Sequence, residues 1–313
     1  MIQLKPLFIS LMCLVQTNVV QAGADYSSSA LSGVSGTPKE SFIKQLDDSK
    51  YGIEMGNLSM VIDAGKGGKI LSFKCQNVEA ISQSPMRETF GSTFWTSPQK
   101  EWNWPPVQEY DKMPYAVEER EGTLILTSQV SDRLKYRIRK EFAVDKKDNS
   151  FVITYSIINE SGEARRVAPW EITRVPNEGG LIFFDAPVST ITPAGLMAFT
   201  SAEDVSWYHA DAADSNRKIN ADGKGWLAYK NERLLLVKKF QDLNPSEPAP
   251  DEAEIQVYVN RGKTYIELES QGAYTELKPG GALSWTVRWY LMPDSSPVEA
   301  SAQLIQKVKK VIK

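Results

Sequence analysis

Residues 283–291 limit the fold more than any other stretch. Leu283, Trp285, Val287, Trp289 and Leu291 alternate with Thr286, Arg288 and Tyr290. A period of two is the mark of a strand with one face buried, and five large apolar groups on that face require a second layer to cover them. Residues 265–271 repeat the device. Ile266 and Leu268 point one way, and Tyr265, Glu267, Glu269 and Gln271 the other. The two carboxylates then stand roughly 7 Å apart on one pleated face. Further strand-like runs lie at 58–62, 69–74, 78–81, 123–130, 134–144, 150–159, 164–174, 225–229, 233–240 and 254–260. Gly65, Gly67 and Gly68 supply the positive φ angles of a tight turn. No helix alternates with these strands, which excludes a parallel α/β fold. The expected class is all-β, a large antiparallel β-sandwich closed by one C-terminal helix. Ser296 is the expected cap of that helix, Pro297 its first turn, and Leu304, Val308 and Val311 its packing stripe.

Two stretches break the strand pattern. Residues 83–114 and 201–224 are polar or aromatic with few β-branched residues, and both read as irregular loops; loops this long in a compact domain usually carry function. Gln241–Asp251 reads as a proline-rich surface excursion.

At the other end, Lys5 precedes an apolar run from Leu7 to Val15, and Val20-Gln21-Ala22 places small residues at −3 and −1. This is the pattern of a secretory signal peptide, residues 1–22, and predicts a periplasmic or secreted protein. The run is too short to span a bilayer, and no other segment is long and apolar enough. A flexible lead-in is expected over 23–45 and a single β-sandwich domain over 46–313. Of the two cysteines, Cys13 leaves with the signal. Cys75 then has no internal partner and reads as a small buried apolar group.

The net charge is −3, with no basic stripe, so nucleic acid is not an expected partner. A phosphate-binding glycine loop, a Gly-x-Ser-x-Gly elbow and cysteine or histidine metal spacings are all missing. No cofactor and no metal are expected. Nothing in the pattern points to a particular oligomer.

Three clusters remain as candidates for chemistry. On the late strands, Tyr265, Glu267, Glu269, Gln271 and Arg288 form polar faces that suit a ligand with many hydroxyls; a solvated sheet surface with cross-strand ion pairs fits them as well. Trp95, Trp102 and Trp104 fall in one loop, where flat indoles either stack on sugar rings or pack down as a plug. In Pro169-Trp170-Glu171-Ile172-Thr173-Arg174, if Ile172 faces the core then Glu171 faces the opposite side; Glu171 and Arg174 are either a structural ion pair or part of a site. His209, the only histidine, is a further candidate acid or sugar contact.

Gly67-Gly68-Lys69-Ile70-Leu71-Ser72-Phe73, Phe94-Trp95-Thr96-Ser97-Pro98-Gln99 through Trp104-Pro105-Pro106, and Glu267-Leu268-Glu269 through Leu277-Lys278-Pro279-Gly280 resemble an uncharacterised family of exported bacterial proteins, a domain of unknown function in the galactose-mutarotase-like superfamily. The resemblance spans about residues 50–293. It implies a large sandwich whose concave face binds carbohydrate. In galactose mutarotases a glutamate on a late strand is the base, and Glu269-Ser270-Gln271 is similar to that motif. Those enzymes also use two histidines, whereas this chain has one, and Trp170–Arg174 occupies the corresponding region. The resemblance therefore implies a carbohydrate-binding protein or an aldose 1-epimerase-like isomerase, with Glu269 as base and Glu171 or His209 as acid. The competing expectation is a non-catalytic structural or partner-binding sandwich, with the aromatic loop as a protein contact.

Overall fold

The computed structural model describes residues 42–83, 89–212 and 214–313. The expected signal segment, and all but the end of the expected lead-in, lie outside the described residues. In chain order the strands are β1 (Ile43–Gln45), β2 (Lys50–Met55), β3 (Leu58–Asp63), β4 (Lys69–Cys75), β5 (Val78–Glu79), β6 (Ser92–Ser97), β7 (Ala116–Arg120), β8 (Thr123–Thr127), β9 (Tyr136–Asp145), β10 (Ser150–Asn159), β11 (Arg165–Pro176), β12 (Leu181–Phe184), β13 (Thr200–Ala202), β14 (Val205–His209), β15 (Arg217–Ala221), β16 (Trp226–Lys230), β17 (Leu234–Lys239), β18 (Ile255–Val259), β19 (Tyr265–Gln271), β20 (Thr275–Leu277) and β21 (Ala282–Pro293). A short helix, α1 (Gln108–Asp111), lies between β6 and β7, and α2 (Ala302–Val311) follows β21.

They form two antiparallel sheets. The first runs β1-β2-β3-β4-β6-β11-β19-β18-β15, with β5 beside β4 and β20 on β11. The second runs β13-β14-β12-β16-β17-β21-β10-β9-β8-β7. The main core lies between them: Met60, Ile62, Phe73, Phe94, Ile266 and Leu268 from the first sheet meet Leu126, Ile138, Ile153, Tyr155, Val287 and Trp289 from the second. Phe94 stacks on Tyr155 with centroids 4.3 Å apart, and Phe73 meets Trp289 edge-on at 5.5 Å. Aromatic contacts of this kind add about 0.5–1.5 kcal/mol each beyond their buried area. The alternation of residues 283–291 is met as expected, because that face of β21 is the inner one.

The outer faces of the two sheets differ. On the second sheet, Phe183, Trp207, Trp226, Leu235 and Tyr290 form a second core under Leu304, Ile305 and Val308 of α2. The cap of α2 is Ser301, whose Oγ accepts from Leu304 N, not Ser296. Ser296 instead donates its N–H and hydroxyl to Asp294 in a turn before the helix. Among the described residues the first sheet carries no such helix, and its outer face holds a cleft.

Both supposed loops contain strands. β6 falls within 83–114 and escapes a period-two reading because all six residues are buried, which removes the contrast between faces. Gly91 leads into it with φ +67°; a Cβ there would meet the Ile70 carbonyl oxygen at 2.1 Å, so glycine is required for this close approach. β13, β14 and β15 occupy much of 200–221. β1 (Ile43–Gln45) makes the end of the 23–45 segment a strand of the first sheet; Ile43 pairs with Ile53. Cys75 is a buried free thiol whose pKa burial pushes up. No helix among the described residues is long and apolar enough to cross a membrane.

Candidate functional site

The cleft is built on five adjacent strands. Trp95 comes from β6, Trp170 and Arg174 from β11, Tyr265, Glu267 and Glu269 from β19, Tyr258 from β18, and Lys218 from β15. Register brings them together: Arg174 lies opposite Glu267, Tyr258 opposite Glu267 on its other side, and Lys218 opposite Tyr258. Thr89, Gln99, Trp104, Asn216 and Asn260 complete the lining of a cavity of about 550 Å³, within the range of small-molecule sites.

Its charged side chains form two pairs. Arg174 Nε donates to Glu267 Oε1 at 2.9 Å, with both side chains largely buried. The guanidinium also lies over the rings of Tyr265 and Trp95, at 5.7 and 5.9 Å. Glu269, 1% exposed, accepts at Oε2 from Trp170 Nε1 at 2.8 Å and from Lys218 Nζ at 2.9 Å. Burial raises the Glu269 carboxyl to about 7, against the opposing pull of Lys218 and Trp170. The Lys218 ammonium also lies 4.6 Å from the centroid of the Trp170 ring. Burial raises the phenols of Tyr258 and Tyr265, so both present neutral hydroxyls. The cleft thus offers a carboxyl that ionises near neutral pH, a cation beside it, and phenols and amides around it.

The indoles divide by role. Trp95 is held by its Nε1 donating to Asp111 Oδ1 at 2.9 Å, which also accepts from Thr93 Oγ1 at 3.0 Å. Burial opposes the charge on Asp111, but Lys69 and these donors keep its carboxyl below the usual range. Trp102 is buried behind the lining, with Nε1 donating to Thr96 O at 2.8 Å and its ring edge-on to Trp95 at 5.6 Å. Trp104 stands at the mouth and is 66% exposed.

No protein-family model matches the chain, and no curated protein sequence does. Solved structures match its shape. A candidate aldose 1-epimerase of Escherichia coli K12 superposes with a TM-score of 0.57 at 12% identity, over 79% of this chain and 99% of that one. Another from Klebsiella pneumoniae gives 0.58 at 12%, over 84% of each chain. A galactose mutarotase-like protein from Clostridium acetobutylicum gives 0.52 at 10%, over 78% of this chain and 95% of that one. The fold is the galactose-mutarotase-like sandwich.

In this mutarotase-like frame the expected site residues separate. Glu269, Glu267, Tyr265, Arg174, Trp95 and Trp104 line one cleft. Trp102 lies behind it. Gln271 shares the face but is fully buried beside it, donating to Glu252 Oε2 and Gln256 Oε1 at 3.1 and 3.0 Å. Glu252 in turn accepts from Gln99 N at 3.0 Å, which ties the Gln99–Trp104 segment to the sheet.

Three expected residues lie elsewhere. Glu171 does not face the side opposite the core. It points between the sheets, where Oε1 accepts from Tyr155 Oη at 2.7 Å and Trp289 Nε1 at 3.1 Å, and Oε2 meets Lys238 Nζ at 2.6 Å. It is Ile172 that shares the cleft side of β11 with Trp170 and Arg174. Arg288 is on the outer face of the second sheet, bonded to Asp145, Asp148 and Ser150. His209 is exposed at the end of β14, also in the second sheet and outside the cleft lining.

Sequence reasoning missed Trp170 as a donor to Glu269, and Lys218, Tyr258, Asn216 and Asn260 altogether. The signal for Lys218 was present: Lys218 and Asn220 alternate with buried Ile219 and Ala221 in β15, a short period-two run inside a segment read as loop.

Proposed function

We propose that the cleft binds carbohydrate and that Glu269 acts as a base at an anomeric carbon. One observation carries the proposal: a fully buried carboxyl raised to about 7 at the floor of a cavity rich in hydroxyl, amide and indole groups. Glu269 is half ionised near neutral pH, which suits proton transfer. In the ionised state it takes the proton of the anomeric hydroxyl. The ring C–O bond breaks as C1 becomes an aldehyde, and the ring oxygen receives a proton. Lys218, with its ammonium 2.9 Å from Glu269 and a third of its side chain exposed, is the donor we assign. Rotation about the C1–C2 bond and reversal of these steps give the other anomer. The aldose 1-epimerase names of similar folds agree with this reading. Export from residues 1–22 belongs to the same proposal.

The test is the rate of anomer exchange of freshly dissolved aldoses, followed by NMR. Glu269→Gln lowers catalysed exchange by about 10² to 10⁴ fold. Undiminished exchange in that variant removes the mechanism.

A second reading, a binding module without turnover, is favoured by the absence of any histidine from the cleft lining and by the pairing of both its cations. It predicts saturable binding with no exchange above the spontaneous rate.

A further inference from the structure

Trp104 is unlike the other indoles of the cleft. Trp95, Trp102 and Trp170 are 6, 1 and 2% exposed; Trp104 is 66% exposed. The faces of the inner rings are in use: Lys218 lies over Trp170, Arg174 over Trp95, and Trp102 tilts against Trp170 at 6.2 Å. The Trp104 ring stands almost perpendicular to Trp95, at 80° with centroids 6.2 Å apart, so the edge contact props it upright and leaves a face open. A large apolar face held in place and left in water marks a contact surface. The amide side chains of the lining, Gln99, Asn216 and Asn260, are neutral.

The cavity is also large for one sugar. About 550 Å³ corresponds to roughly 18 water-sized groups at about 30 Å³ each, against the dozen heavy atoms of a hexose. A single ring seated at Glu269 therefore leaves the mouth unfilled. Among the described residues, all four charges in the lining are committed in pairs, so neither of these cations is left unpaired for an acidic sugar.

From these observations, and resting on the carbohydrate reading above, we propose that the ligand is a neutral oligosaccharide. Its reducing-end residue sits over Glu269, and the next residue stacks the C–H face of its ring on Trp104. Glu269 and the anomeric carbon fix the direction: the chain must leave through the mouth, past Trp104. The inner subsite selects by hydrogen bonds and the outer by stacking.

The experiment is a glycan array of neutral monosaccharides and their oligomers on the full chain, followed by calorimetry with each hit and its own monosaccharide. The expected result is an oligomer bound about ten-fold or more tighter than its monosaccharide, the scale of one aromatic contact. Trp104→Ala brings that ratio to about one, and Trp104→Phe retains most of it. Glu267→Gln, on the floor, weakens oligomer and monosaccharide alike and leaves the ratio standing. Binding of the oligomer also shifts tryptophan emission in the wild type more than in Trp104→Ala. A wild-type ratio near one, or a high ratio that survives Trp104→Ala, overturns the proposal while leaving carbohydrate binding intact. An array with no hit at all rejects the carbohydrate reading itself.

Discussion

Glu171 and Glu269 are near neighbours on opposite faces of one sheet. Glu171 lies in register with Ser270, the residue next to Glu269. Both carboxylates are buried, both accept an indole N–H, and both meet a lysine. Their lysines differ. Lys238 is as sealed as its partner, with both side chains 0% exposed, whereas a third of Lys218 is open to the cleft. The inner pair belongs to the core, where a charge has no recourse to water. The outer pair borders a cavity that a ligand or solvent can enter. The same ingredients thus give a structural contact on one face and a candidate reactive group on the other.

Removing one lysine from each pair breaks this comparison most directly. Lys238→Met strands Glu171 between the sheets, and loss of one partner of a buried pair costs about 3–5 kcal/mol. The double variant Glu171→Gln with Lys238→Met recovers most of that loss, because no uncompensated charge remains. Lys218→Met costs about 1 kcal/mol, as expected for a partly solvated pair. Urea denaturation at neutral pH measures all three. Equal losses at the two lysines would mean that the cleft shields its charges as fully as the core does.

The pH dependence of stability sharpens the same contrast. The Glu269 carboxyl is raised from 4.5 to about 7 by burial, so between these values the folded chain holds a proton that the unfolded chain has lost. The stabilisation from this group is therefore complete below about pH 4.5 and is lost as pH rises through 7. A displacement of that size corresponds to on the order of 3 kcal/mol. Denaturation midpoints of the wild type fall across this window relative to those of Glu269→Gln. Parallel curves would place the titration of Glu269 in its ordinary range and remove the basis for its role as a near-neutral base.

The contrast between faces also explains what could be read in the chain beforehand. In β19 the inward residues are Ile266 and Leu268 and the outward ones Tyr265, Glu267 and Glu269, so alternation assigns the faces without help. In β11 every residue from Val167 to Val175 is buried, and polar and apolar groups occur on both sides. Alternation there carries no contrast, and the assumption that Ile172 faces the core inverts Glu171 and Trp170. β21 presents a subtler case. Its apolar face is legible, but which sheet it joins is not written in its alternation, and so Arg288 could not be separated from the cleft. Sheet membership is set by long-range pairing, here with β10 and β17. Within the aromatic segment, Trp102 packs down and Trp104 stays in water.

The smallest effect is expected at Arg288, and it tests the assignment of faces rather than the chemistry. Its guanidinium reaches Asp145, Asp148 and Ser150 on the outer face of the second sheet, and its side chain is 34% exposed. Pairs this open to solvent contribute about 0–1 kcal/mol, because water and salt already screen the charges and ordering the side chain offsets the gain. Arg288→Ala should therefore lower stability by no more than about 1 kcal/mol, and less at high salt. It should leave the affinity for any glycan hit unaltered, since the sandwich core separates it from the cleft. Arg174→Ala, by contrast, exposes Glu267 as an unpaired carboxylate in the cleft and weakens the same binding. Comparable losses of affinity in these two arginine variants would mean that the ligand is not confined to the first sheet.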